Sequence, residues 1–381
     1  MSVSPAAPSG SSFFRGDVMN LMPKAGPLRE PSAVEEFILK GWMPKERFIG
    51  ADANIVAFGS CFAANIGRYL NNLGFAIATQ REGKAHIQKI SDGLVNVYAI
   101  AQQFEWAWEN RVPDIQLWHG WKAEDYGYDE DVRLETKRLF DEADVFILTF
   151  GLSEIWYDEP TGEVFWRAVP EDKFDASRHK FRVATHAETV ERLQRIYSLI
   201  RQHRPNAAII FTLSPVGLAA TFRPVSCITA NAVSKAKLRS AIDEVHSAAK
   251  DPKFFYFPAY EVVMQGFRTP FMMDMRHPHA HVIDTNMKAF ERYFCTTDFD
   301  EAGLREVITD ALSTDEKLTK GTDSEARAFA HAQKGKVKEL KPAEQVEKQV
   351  LKAKRIAERD ARIKEREEKA ERRALKAAKA K

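Results

Sequence analysis

The sequence predicts an α/β protein built on a mostly parallel sheet. Short β-branched runs alternate with helix-period segments along most of the chain, and the span has room for a large core at 381 residues and 44% apolar composition. Strands are predicted at Ile55–Phe58, Ala76–Thr79, Asp144–Phe150, Ala207–Leu213 and Phe254–Phe257. Helices are predicted between them, over 61–73, 95–109, 131–142, 186–203 and 233–249, with a further one over 283–294. In the first of these Phe62, Ile66, Tyr69, Leu70 and Leu73 recur at helical spacing. No internal repeat is visible, and neither Gly-x-Gly-x-x-Gly nor the P-loop pattern occurs, which weakens nucleotide-dependent functions.

Residues 1–30, rich in Ser, Pro and Gly, read as a flexible lead to a catalytic-domain-sized segment over 31–312. From Ser313 the composition turns to Lys, Glu, Arg and Ala, with apolar residues too sparse for a heptad, so 313–381 reads as an extended helix or a disordered arm. The stretch 334–381 holds 18 basic and 9 acidic side chains, net +9, against 38 basic and 45 acidic in the other 333 residues. A nucleic acid or anionic membrane surface would suit such a charge. The interleaved acid and lack of stacking aromatics favour a solvated tail.

Three cysteines, Cys61, Cys227 and Cys295, give neither a disulfide framework nor a paired metal-ligand spacing. The N-terminus lacks a signal-peptide pattern, and no run nears the roughly 20 apolar residues of a membrane span. A cytoplasmic, reducing location follows as the expectation.

The turn Gly59-Ser60 between the first strand and first helix carries the chemistry. A serine there lies where outward amides and the helix dipole favour developing negative charge, as a nucleophile requires. The same placement also suits a plain helix cap. Ligands of a parallel α/β sheet bind outside the carboxyl ends of its strands. The loops at that edge hold Gly151-Leu152-Ser153-Glu154, Ser214-Pro215-Val216, Tyr260-Glu261 and Asp274 to His281. Asp274, three residues before His277, can accept from the imidazole Nδ1 and leave Nε2 for a nucleophile. His277, His279 and His281 offer a metal alternative, but Pro278 interrupts their alternation. Cys61 rivals Ser60 as nucleophile. Ser234-Lys235 suggests a dyad or, within a helix, a device for orienting substrate or loop. Phe104, Trp106 and Trp108 would either wall a sugar-sized pocket or pack the core.

The segments GSCFAANI, GLVNVYAIAQQFEWAW, TFGLSEIW, TLSPV, the Asn231–Lys235 region with Ser234-Lys235, FYFPAYE and DMRHPH, spread over roughly 50–296, resemble the GSCFA family, itself similar to SGNH-type hydrolases. The resemblance implies a flavodoxin-like three-layer α/β/α sandwich. It implies Ser60 as nucleophile, with His277 as base and Asp274 as its partner. Gly151 and Ser153 then stand in the oxyanion-binding block, where Ser153 replaces the family's Asn, and Gly93 and Asn96 are the further candidates. The expected activity is an acyl-ester hydrolase or O-acyltransferase working through an acyl-enzyme on a small-molecule or carbohydrate substrate, with a glycan precursor as one acceptor. No cofactor and no metal are expected; acyl-CoA is the donor suited to transfer. The contrasting expectation is a non-catalytic binding or scaffold protein with the basic tail as its contact surface for anionic partners.

Overall fold

A computed structural model of the chain describes residues 19–115, 117–119 and 124–321. The expected lead is therefore described only from residue 19, and nearly all of the expected tail lies outside the described residues. In chain order the elements are β1 (Asn54–Phe58), α1 (Cys61–Asn72), β2 (Ala76–Ile77), α2 (His86–Lys89), α3 (Val97–Glu109), β3 (Leu117–His119) and β4 (Glu124–Tyr126). There follow α4 (Glu130–Glu142), β5 (Val145–Phe150), β6 (Glu154–Asp158), β7 (His179–Val183), α5 (His186–His203) and β8 (Ala208–Leu213). The last are α6 (Cys227–Ala249), β9 (Phe254–Tyr256), α7 (Ala259–Gly266), α8 (Ala280–Phe294) and α9 (Glu301–Lys320).

The central sheet has five strands, all parallel, in the order β2-β1-β5-β8-β9. Counting only these strands, the order is the flavodoxin-like 2-1-3-4-5. β5 and β8 are buried at every position, the pattern of strands covered on both faces. Successive side chains feed two separate cores. Val56, Phe58, Phe146, Leu148, Ile209 and Phe211 join residues of α3, α4, α5 and α6 on one face. Ile55, Ala57, Val145, Ile147, Ala208 and Ile210 join α1, α7, α8 and α9 on the other. The result is a three-layer α/β/α sandwich. Phe104, Trp106 and Trp108 are buried in it, so this aromatic run packs the core.

Two features were not legible. An antiparallel ribbon, β6 with β7, is inserted directly after β5, pairing Glu154 with Val183 and Asp158 with His179. The expected boundary at 312 also falls inside α9, which Asp300 caps by accepting from Gly303 N–H. Leu304, Ile308, Ala311 and Leu318 bury one stripe of that helix, and the Asp315 carboxylate accepts from the amides of Arg268 and Thr269, both at 2.8 Å. Composition averages over such a stripe, whereas packing depends on one face of it.

A chain ending at Leu312 loses the Asp315 bonds and the buried Leu318 side chain, while one ending at Gly321 keeps both. The shorter chain should be less stable by about 3 kcal/mol or more. Chemical denaturation of the two truncations measures this difference directly.

Candidate active site

Gly59 sets the geometry of the turn after β1. Its φ is +130°, and a Cβ there would lie 2.1 Å from the Thr149 carbonyl oxygen on neighbouring β5. Only glycine lets the two backbones approach this closely. Gly59 N–H donates to the Ser91 carbonyl at 2.8 Å, which anchors the turn to the loop before α3.

Ser60 follows in extended conformation, φ −118° and ψ 172°, as the N-cap of α1. Its Oγ accepts from Phe62 N–H at 3.2 Å, so the cap and the strand-to-helix serine coincide in one residue. An accepting hydroxyl keeps its own proton free to give. Among the described residues neither the Ser60 nor the Cys61 amide has a hydrogen-bond acceptor, so the helix amino end presents two unused donors beside Oγ. Ser60 is 3% exposed. The neighbouring Cys61 thiol is pushed up by burial and by Asp92, against the opposing pull of Lys235, Arg276 and Arg167. A thiol held protonated is a poor nucleophile.

The second element is the loop before α8. Met275 takes φ +56°, turning the chain so that the Asp274 carboxylate faces its own successors. Asp274 accepts from the amides of Arg276 at 3.1 Å and His277 at 3.0 Å, and meets His277 Nδ1 at 2.5 Å. Desolvation works to raise the Asp274 carboxyl, but these bonds from His277 and Arg276 outweigh it and bring the group down to about 2. An ionised carboxylate only accepts, so Nδ1 carries the proton and a neutral His277 presents the lone pair of Nε2. Both side chains are roughly two-fifths exposed, at 42% for His277 and 43% for Asp274. No hydrogen bond joins His277 to Ser60 among the described residues.

The third element is the loop after β5. A Cβ on Gly151 would lie 3.9 Å from Ser60 Cβ, which puts this loop beside the serine. The Gly151 and Leu152 amides both donate to the Val95 carbonyl, at 2.8 and 3.2 Å. Ser153 N–H donates to Ser234 Oγ at 2.9 Å, and its own Oγ is buried with no partner among the described residues. The remaining candidates are committed elsewhere. Gly93 N–H closes a turn onto Ile90, and the Asn96 amide donates to the carbonyls of Phe165 and Trp166 while its oxygen caps α3.

Lys235 ties these loops together from α6. Its Nζ donates to the Gly151 carbonyl at 2.9 Å and the Val216 carbonyl at 2.7 Å, and the residue is 2% exposed. Arg276 grips the next two residues of the same segment, its Nε donating to the carbonyls of Gly217 at 3.1 Å and Leu218 at 3.0 Å. Arg276 went unnoticed in the sequence, although its position between Asp274 and His277 was the available signal. The β6–β7 ribbon borders the Ser214–Leu218 side through Thr221, which donates to Glu154 at 2.8 Å, and through Phe222, packed on Trp156 at 4.9 Å. His279 and His281 stack on one another, with ring centroids 5.5 Å apart. Among the described residues no group of three or more His, Cys, Asp or Glu could hold a metal ion.

The profile of the GSCFA family matches residues 54–290, a span that contains Ser60, Asp274 and His277. No curated protein matches the chain. Among solved structures, the chain is similar to an acetyl xylan esterase from the rumen bacterium Butyrivibrio proteoclasticus, at 14% identity and a TM-score of 0.23. That alignment covers 70% of this chain and 62% of the esterase, so the chain spans less than two thirds of the esterase's length.

Ser234→Ala would leave the buried Ser153 amide without its acceptor. We expect a loss of about 1–2 kcal/mol in unfolding free energy, read by urea denaturation.

Proposed function

The chain belongs to the GSCFA family, and from that premise we propose that it is a serine ester hydrolase or O-acyltransferase acting through an acyl-enzyme. The observation that carries this reading is the 2.5 Å contact of Asp274 with His277 Nδ1, which fixes the imidazole in the form a general base needs. Ser60 Oγ attacks the acyl carbonyl carbon and its proton passes to His277 Nε2. The carbonyl oxygen becomes an oxyanion, taken by the free amides of Ser60 and Cys61. Collapse breaks the ester bond, and the departing alkoxide or thiolate takes the proton back from His277. Water or an acceptor hydroxyl, deprotonated by the same imidazole, then attacks acyl-Ser60; the acyl–Oγ bond breaks, Ser60 Oγ takes the proton back from His277, and the acid or the new ester departs. Ser153 Oγ, buried and unpartnered, is the side-chain donor best suited to add a third bond to the oxyanion. Gly93 and Asn96 act behind the site, as turn and cap.

For the transfer branch acyl-CoA is the donor and a glycan-precursor hydroxyl the acceptor, in the cytoplasm. No helix of the described residues is long and apolar enough to cross a membrane. The reaction needs no metal and no resident cofactor. A non-catalytic binding role draws on a specific observation too: Ser60 is 3% exposed and makes no bond to His277. Catalytic hydrogen bonds are often open before substrate binds, which keeps the enzymatic reading ahead.

Ser60→Ala should abolish labelling by a fluorophosphonate probe, and Cys61→Ala should retain it. Loss of labelling with the Cys61 change alone would transfer the nucleophile to the thiol, and a wild-type protein that never labels would favour the binding role.

Asp274→Asn keeps the shape but not the charge that orders the imidazole. It should lower kcat on a generic acyl ester by about 10²- to 10⁴-fold with little change in KM. An unaltered kcat would remove Asp274 from the mechanism.

A further inference from the structure

Two consecutive residues of α6 hold opposite ends of one tripeptide. Ser234 Oγ takes the Ser153 amide, and Lys235 Nζ takes the Gly151 carbonyl. Lys235 also reaches the Val216 carbonyl, so one ammonium joins the loops after β5 and β8 beside Ser60. A neutral donor would serve such a staple. Lysine is seldom fully buried unless paired with a carboxylate. The titratable neighbours facing Lys235 are Cys61 on α1 and Arg276 on the loop before α8, a thiol held protonated and a second cation, with no carboxylate among the described residues. Burial foremost, and Arg276 after it, bring the ammonium down to about 7 against the contrary pull of Cys61. The third N–H of the ammonium meets no acceptor among the described residues.

A buried positive charge without a resident counter-charge is costly in the resting protein. It becomes favourable when negative charge arises nearby, and acyl transfer at Ser60 creates that charge transiently. We propose that Lys235 is a positioning residue for this reaction, holding the Gly151–Ser153 and Ser214–Leu218 loops together and setting a positive field behind the oxyanion. This rests on the serine mechanism above. Arg276, bonded to Gly217 and Leu218, adds a second positive charge to that field. Lys235 does not exchange a proton with substrate; its charge acts through the loops and through space.

Lys235→Gln separates the two roles, because glutamine still donates two hydrogen bonds but carries no charge. The readouts are the second-order rate of fluorophosphonate labelling and the steady-state hydrolysis of p-nitrophenyl acetate. We expect labelling to slow about tenfold or more, the order of a unit charge acting over several ångströms at an effective dielectric near 20. For the ester, kcat should fall with KM nearly unchanged, while Lys235→Arg, which keeps the charge, retains more activity than Lys235→Gln. Wild-type kcat should decline as pH rises through about 7, where Lys235 loses its proton, and this limb should vanish in Lys235→Gln. The Cys61 thiol, already pushed up from its ordinary value, stays protonated through this range.

Labelling of Lys235→Gln at the wild-type rate, or an alkaline limb that survives the substitution, overturns the proposal. If Lys235→Gln fails to fold, the wild-type profile decides, and activity that does not decline above about pH 7 overturns the field role. Labelling that never depends on Ser60 defeats the serine mechanism itself. Ser60-dependent labelling that is indifferent to residue 235 defeats only the role of Lys235.

Discussion

The site hangs on a single close approach between two backbones. β1 and β5 are adjacent in the sheet, and the chain leaving β1 at Gly59 passes so near Thr149 that no Cβ fits between them. That contact delivers Ser60 in extended conformation to the start of α1 and sends the helix back over the face formed by Ile55 and Ala57. A wider turn would move the serine away from Gly151 and rotate its amide off the carboxyl edge. Steric exclusion at one glycine thus fixes both the packing of α1 and the direction of a hydroxyl.

Electrostatics then separates two groups that the sequence sets side by side. Ser60 and Cys61 are neighbours with nucleophilic side chains, yet burial and Asp92 keep the thiol protonated while the serine hydroxyl stands at the unpaired amides. Asp274 follows the opposite course to most desolvated carboxyls, because its oxygens receive two amides and an imidazole N–H. The edge therefore pairs a firmly ionised acid with a buried base that has no acid of its own, Lys235. Lys235 is bonded to the loops at residues 151–153 and 214–218, and the first of these lies beside Ser60.

The ribbon and the last helix show how the fold supports that edge from outside the sheet. β6 and β7 extend the polypeptide beyond β5 and cover one flank through the Trp156–Phe222 and Glu154–Thr221 contacts. α9 returns to the loop that precedes the Asp274 turn, where Asp315 accepts from the amides of Arg268 and Thr269. Neither element supplies a reacting atom. Each limits where the Asp274–His277 loop and the residue 214–218 loop can go.

The sequence by itself determined what is local. Five strands and six helices followed from period and composition. The Ser60 turn followed from a strand meeting a helix across two residues, and the Asp274–His277 pair from a spacing of three. Tertiary structure alone decided what depends on distant partners. The strand order, the β6–β7 register, the helical stripe of α9 beyond residue 312 and the commitment of Asn96 to Phe165 and Trp166 all join segments far apart in the chain. Lys235 is the sharpest case. Its residue type was visible, but its burial without a carboxylate and its hold on Gly151 and Val216 arise only when β5, β8 and α6 meet. A sequence records which groups a chain carries; how far each is removed from water, and from its neighbours' charges, exists only once the chain has folded.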